Sequence, residues 1–334
     1  MRFGYGLITC QRYPGDPRTD SELYREALVL AAEAEELGFD SVWTSEHHFA
    51  DDAYMPSLMP VSAAIAARTE RIEIGTGLVL APLYPPLRLA EDAATVDLIS
   101  GGRFVLGIGM GWLEWEFEAL GVPIGRRVSR TVAAVETCRQ AWSGGLVDAA
   151  GVAVTPKPPR DGGPPIWIGA SAEPAVRRAA RIGDGWIAAE PSEEEFREQV
   201  GWLRDERERL RVDGPFDVAG YWPVFVWDDG TAWERVRQFL YYMEWKYADA
   251  EDAKGRLGEP PMPPPLDAEG EGEMRSYIIC GTPDEVAARI GALREIAGSA
   301  FTFVARLYYP GMPPRAMRHS TKLFAEEVIP LLGS

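Results

Sequence analysis

Short apolar runs alternate with amphipathic helical stretches eight times along this chain, and that repetition leaves few folds open. The runs 3–9, 39–44, 72–80, 103–108, 165–169, 186–189, 218–227 and 300–306 read as strands. Residues 21–37, 56–68, 87–99, 126–142, 174–181, 192–210, 233–247 and 283–296 carry helical periodicity, and a last helix runs over about 314–332. In the first helix Leu23, Ala27, Leu30, Ala31, Ala34 and Leu37 share one face, and Gly38 follows the last turn, where glycine commonly ends a helix. Strands separated by helices pair in parallel, because a parallel neighbour needs a crossover. Eight such units predict an α/β fold of the (β/α)8 TIM-barrel kind over 1–334 as one domain; a doubly wound open sheet is the competing architecture.

Two segments interrupt the alternation. Residues 144–163 carry turns and prolines and read as a surface excursion. Residues 248–276 hold Glu259-Pro260-Pro261-Met262-Pro263-Pro264-Pro265 and Glu269-Gly270-Glu271-Gly272-Glu273, with too few apolar side chains to offset the entropy of ordering them. A loop this long inside a domain is typically functional or disordered, so 248–276 is expected to be a mobile lid inserted at the C-terminal face.

Composition excludes several partners. Lys and Arg total 34 against 51 Asp and Glu, a formal net charge of −17, which is the wrong sign for a nucleic acid or an anionic membrane. No segment reads as a signal peptide or a membrane span. Cys10, Cys138 and Cys280 are far apart, with no CxxC pair, so neither a metal site nor a disulfide framework is indicated and a reducing cytoplasm is expected.

The chemistry-bearing residues gather where strands end. The chain has three histidines, and two of them lie in Ser45-Glu46-His47-His48-Phe49, just past the strand 39–44. In an α/β barrel that is the rim where catalytic groups sit, and a histidine pair there is a candidate acid or base near neutral pH. A lone histidine at a strand end is equally compatible with a structural role. Glu46 would orient a neighbour or bind a backbone amide. Gly169-Ala170-Ser171-Ala172-Glu173-Pro174 closes a strand and opens a helix, with Pro174 suited to its first turn and Ser171 or Ala172 at the cap. Free amides and the helix dipole make such a turn an anion site, although a plain connection would look similar. Arg177 and Arg178 would assist it or face solvent. Gly75-x-Gly77 and Gly107-x-Gly109-x-Gly111 allow a flat ring close to the backbone, or are tight turns; a dinucleotide fingerprint is not met. Trp112, Trp115 and Trp186 stand near strand ends and are candidates to wall a substrate pocket; Cys10 at the end of the first strand either lines that pocket or is an inert thiol. Ser129 reads as a helix cap.

These residues resemble the bacterial luciferase-like flavin monooxygenases over almost the whole chain. The resemblance is carried by Arg2-Phe3-Gly4 with Leu7-Ile8-Thr9, by Glu46-His47-His48-Phe49, and by Ile74-Gly75-Thr76-Gly77-Leu78-Val79-Leu80-Ala81-Pro82. Arg88-Leu89-Ala90-Glu91-Asp92, Ser100-Gly101-Gly102-Arg103-Phe104, Ser129-Arg130 and Gly281-Thr282-Pro283-Asp284-Glu285 follow in the family's order. It implies a barrel binding flavin at the C-terminal strand ends, with reduced FMN, supplied by an NAD(P)H-dependent flavin reductase, reacting with oxygen and a small organic substrate. It further implies catalytic roles for His47, His48 and Glu46, and cofactor contacts from Gly6, Gly77, Leu78, Gly109, Met110, Ala170, Ser171 and Ala172. A non-proline cis peptide or bulge at Gly77–Leu78, a mobile loop between the seventh and eighth strands, and a homodimer or higher homo-oligomer are implied as well. Two departures stand out. The luciferases place a phosphate-binding arginine at the position of Met110, so the clamp comes from elsewhere or the cofactor differs. Trp112-Leu113-Glu114-Trp115-Glu116-Phe117 resembles the related deazaflavin-dependent branch, which transfers hydride without oxygen, yet that branch usually has Asp-His where this chain has Glu46-His47. A deazaflavin oxidoreductase and a non-catalytic flavin-binding protein therefore remain the alternatives.

Overall fold

The computed structural model describes residues 1–147 and 151–333. Its strands are β1 (Arg2–Ile8), β2 (Ser41–Thr44), β3 (Glu73–Thr76), β4 (Val79–Leu80), β5 (Phe104–Gly109), β6 (Ile166–Gly169), β7 (Gly185–Ala189), β8 (Asp217–Val226), β9 (Ile279–Gly281) and β10 (Phe301–Arg306). They pair in parallel in the order β10-β1-β2-β3-β5-β6-β7-β8, and β8 pairs again with β10, which closes the sheet and rules out the open alternative. β3 and β4 both pair with β5 and form one stave, so the barrel has eight; β9 is a short addition to the far half of β8.

Local sequence explains several boundaries. Thr19, Ser192 and Thr282 open helices as capping boxes with Glu22, Glu195 and Glu285 three residues on. The third strand, read as one run over 72–80, is divided into β3 and β4 at Gly77–Leu78, whose peptide is cis as the resemblance implied; Gly6–Leu7 is cis too. The segment 248–276 is not featureless. Its end folds into the helix Ala268–Tyr277, where the Asp267 carboxylate caps the first turn by accepting the Gly270 N–H at 2.8 Å. A six-residue helix, Glu114–Ala119, follows β5 and was not anticipated. In the excursion 144–163, Val147 bridges Val152 and Arg160 pairs with Asp97, while 148–150 lie outside the described residues. Among the described residues no helix is long and apolar enough to cross a membrane.

Side chains alternate between the barrel interior and the helical layer. Leu7, Trp43, Val105, Trp167, Ile187, Ala219 and Val304 fill the interior. Trp43 and Trp167 stack with ring centroids 5.3 Å apart, and Trp43 Nε1–H donates to Ser41 Oγ at 2.9 Å. Two indoles fit because the neighbouring strand offers glycine: a Cβ at Gly75 would run into the Trp43 ring. The interior is thus plugged, and space for a ligand remains at the C-terminal mouth.

Candidate active site

At the end of β2 the chain turns from core to rim. Glu46 is almost fully buried, and its carboxylate spans two loops. Oε1 accepts the Leu80 N–H at 3.1 Å and faces His48 Nε2 at 3.2 Å, while Oε2 accepts the Tyr84 hydroxyl at 3.0 Å. Glu46 therefore braces the loop after β4 against the histidine loop. Glu116, on the short helix after β5, does the same for His47. Its Oε1 lies 3.1 Å from His47 Nδ1 and accepts the His48 N–H at 2.7 Å. Glu116 is fully buried, and its Oε2 has no partner among the described residues.

This contact sets what His47 can do. A carboxylate can only accept, so neutral His47 carries its proton on Nδ1 and keeps the Nε2 lone pair free. The ring is held edge-on by Tyr54 and Tyr247, at centroid distances of 4.9 and 5.5 Å. His48 points elsewhere, into a smaller pocket of about 370 Å³ shared with Asp51, Trp115 and Lys246. Burial alone would lower the His48 pKa, but the Glu46 hydrogen bond and the charges of Glu46 and Glu116 outweigh it and raise the pKa above its usual 6.5. A histidine raised on folding contributes stability that is complete below its unfolded pKa and lost as pH rises through the folded one. The stability advantage of the native protein over His48→Gln should therefore shrink between pH 6 and pH 8. Urea midpoints at both values check this, and a constant difference would contradict it.

The main cavity encloses about 1120 Å³, part of it open to solvent. Glu46, His47 and Trp112 stand on one wall, and Gly169, Ala170, Ser171 and Ala172 on another. Gly77, Leu78, Gly109 and Met110 also line it, over a floor that includes Leu7 and Ile187. A Cβ at Gly109 would come within 3.2 Å of Leu78, so glycine there keeps the surface low and flat. At the far end Ala172 caps the helix Glu173–Ile182 without a side-chain hydrogen bond, with Pro174 in its first turn. A second lobe of about 740 Å³ adjoins through Tyr221, Tyr247 and Arg306. There Arg306 Nη1 pairs with Glu190 Oε1 at 2.6 Å. Burial, with Glu190 adding to it and Arg306 and Tyr277 opposing, pushes the Glu244 carboxyl up to about 7.

Most of the expected site residues meet at this mouth, but His48 faces the smaller pocket, and Gly6, Cys10, Trp115 and Trp186 also lie off the main cavity. Gly6 packs against Trp43, and its neighbour Leu7 lines the cavity instead. Cys10 is buried against the first helix, with Sγ 3.9 Å from the Leu23 carbonyl, and burial pushes its thiol up to about 12. Trp186 points out of the barrel, stacks on Phe196, and donates Nε1–H to the Ala170 carbonyl at 2.8 Å, steadying the turn from behind. Trp115 borders the His48 pocket. Ser129 lies inside the helix Arg127–Trp142 rather than at its cap, and Arg130 Nε donates to the Pro82 carbonyl at 2.6 Å. Glu116, Glu190, Glu244 and Arg306 were given no role by sequence reasoning. Glu190 and Arg306 stand at the ends of β7 and β10, where the barrel rim rule would have flagged them.

Comparison with known proteins fits this geometry. Residues 1–300 match the family described as luciferase-like monooxygenase. An F420-dependent glucose-6-phosphate dehydrogenase of Microbacterium testaceum is 33% identical over 263 residues, covering 71% of this chain and 72% of that one. The oxygenase component of the flavin-dependent trigonelline monooxygenase of Acinetobacter baylyi is 31% identical over 179 residues, 51% of this chain and 49% of that one. The chain spans about half the length of several of its curated relatives. A monooxygenase crystal structure from Streptomyces bottropensis superposes with a TM-score of 0.83 at 27% identity, over 99% of each chain.

Proposed function

The chain belongs to the luciferase-like monooxygenase family, and on that premise we propose that it is a flavin-dependent monooxygenase. It would take reduced FMN from a separate NAD(P)H-dependent reductase and use oxygen to oxidise a small organic substrate in the cytoplasm, as a homo-oligomer. The observation that carries the reading is His47, fixed by Glu116 on the wall of a cavity with a flat glycine-containing lining and a helix-opening turn at one end. A flavin fits these residues. Gly77, Leu78 and Gly109 offer a flat surface to a planar ring, and the turn at 170–172 offers amides to a phosphate.

Bound reduced flavin would supply the electrons that activate oxygen. The chain's own groups have separate tasks. The amides of the 170–172 turn hold the phosphate end. His47 Nε2 accepts or returns a proton at the reacting oxygen or the substrate, and Glu116 stabilises the charge that then forms on the imidazole. Glu46 and His48 keep the two loops in register. The apolar and aromatic walls from Leu7, Trp112 and Tyr247 keep water out, and segment 248–276 acts as the lid. Reductase-coupled oxygen uptake tests the reading: candidate substrates should convert uptake that yields hydrogen peroxide into uptake that yields oxygenated product.

The second reading is hydride transfer with a deazaflavin such as F420. It is favoured by the Glu116 partnership within a run that resembles the deazaflavin branch, and by the relative matched over 72% of its length. Turnover without oxygen, in the presence of deazaflavin, would select it.

A further inference from the structure

The helix Glu173–Ile182 carries three arginines, and among the described residues only one of them has no carboxylate partner. Arg177 pairs with Glu173 at 2.8 Å and lies 3.7 Å from Glu206. Arg181 pairs with Glu206 at 2.5 Å. Arg178 is half-buried, and its Nη1 lies 3.5 Å from the Met110 thioether Sδ. Sulfur of this kind is a weak acceptor, so the guanidinium is poorly compensated where it stands. Burial and the like charge of Arg181 both push its pKa down, which a nearby anion would reverse.

Its position says which anion. Arg178 lies one turn beyond Ala175 on the same helical face, and Ala175 lines the main cavity beside Ser171, Ala172 and Met110. Long side chains on a helix lean back toward its N-terminus, here toward the turn 170–172. The guanidinium thus approaches the cavity at the end where amides and the helix dipole already favour negative charge. Met110 separates it from the cavity, and methionine is the adaptable side chain best able to move aside.

We infer that Arg178 is the cation that clamps the cofactor's phosphate, reaching from the helix to serve where residue 110 supplies no charge. The inference rests on the reading that a flavin phosphate lies at the 170–172 turn. The device differs from an arginine on the strand-end loop. The clamp arrives from the helix after β6, so one element provides both the amides and the counter-charge. Arg177, saturated by carboxylates, has no part in it.

Titrations with FMN and with riboflavin, which lacks the phosphate, separate the possibilities when followed by flavin fluorescence. The native protein should prefer FMN. Arg178→Gln should weaken FMN binding about 10- to 100-fold, the worth of a charge-assisted hydrogen bond, and leave riboflavin within about twofold. Arg178→Met, which keeps the apolar stem, should behave the same if the glutamine variant folds poorly. Arg178→Lys should recover part of the preference, and Arg177→Gln should leave the FMN-to-riboflavin ratio unchanged. If the native protein prefers FMN and the Arg178 variants keep that preference, the turn amides suffice and the inference fails while the flavin reading stands. If the native protein binds riboflavin as well as FMN, or binds neither, the phosphate reading itself fails and takes the clamp with it.

Discussion

His47→Ala should lower the yield of oxygenated product about 10²- to 10⁴-fold, the usual contribution of a positioned acid or base, while the fold and most flavin affinity survive. The structure gives reasons for both halves. His47 is a wall residue rather than a core residue, and removing its ring leaves Glu116 Oε1 still accepting the His48 N–H at 2.7 Å. The buried carboxylate therefore keeps a partner, and the loop keeps its tether. What is lost is the Nε2 lone pair over the cavity. Oxygen consumption should continue as wasteful peroxide release. His48→Ala should be milder, because His48 faces the smaller pocket and Glu46 retains Leu80 and Tyr84. Glu116→Gln separates positioning from packing: the amide keeps the shape but stabilises an imidazolium poorly, so the pH profile of product formation should shift without loss of melting temperature. Product, peroxide and oxygen uptake measured together decide the matter. An unchanged product yield in His47→Ala with flavin bound would remove His47 from the chemistry.

Lys246→Ala should destabilise the protein by about 3–5 kcal/mol, the typical effect of removing one member of a buried ion pair. Lys246 is 4% exposed and Asp51 1%. Lys246 Nζ lies 2.5 Å from Asp51 and 2.9 Å from Asp249. Arg256 reaches the same two carboxylates at 3.0 and 2.6 Å. Asp51 belongs to the histidine loop, Lys246 to the helix Ala232–Asp249, and Arg256 to the start of the proposed lid, so one network binds all three. The alanine variant leaves Asp51 with a single, more exposed partner. Lys246→Met with Asp51→Asn removes both charges and should recover much of the loss. Urea melts of the two singles and the double test this, and a cost below about 1 kcal/mol for Lys246→Ala would show that Arg256 alone satisfies the network.

The barrel and His47 were legible for the same reason: period and position carry them. Eight apolar runs separated by helical periodicity predict a parallel sheet and favour its closure into a barrel, and a polar residue just past an apolar strand falls on its rim. Trp186 was misplaced because nearness to a strand end says nothing of its side. It lies within β7 beside Ile187, which fills the interior, so strict alternation turns the indole outward. Cys10 follows β1 in a left-handed conformation, φ 56°, that no local signal announces. Glu116 was visible as a letter in a motif, but its meeting with His47 spans 69 residues of sequence and depends on the helix Glu114–Ala119, too short for periodicity to reveal. The Glu190–Arg306 pair, 116 residues apart, is likewise a product of barrel closure. Gly270 and Gly272 hid the helix Ala268–Tyr277, which tertiary contacts hold: Trp233 Nε1–H donates to Glu271 at 2.6 Å.

The most direct test of the flavin monooxygenase reading is a parallel titration of the purified protein with reduced FMN and with reduced deazaflavin coenzyme, without oxygen and then with it. Reduced FMN should bind the native protein more tightly than the deazaflavin does, and admitting oxygen to the FMN complex should bring oxygen uptake. Tight binding of the deazaflavin with no measurable binding of FMN, and hydride transfer indifferent to oxygen, would contradict it.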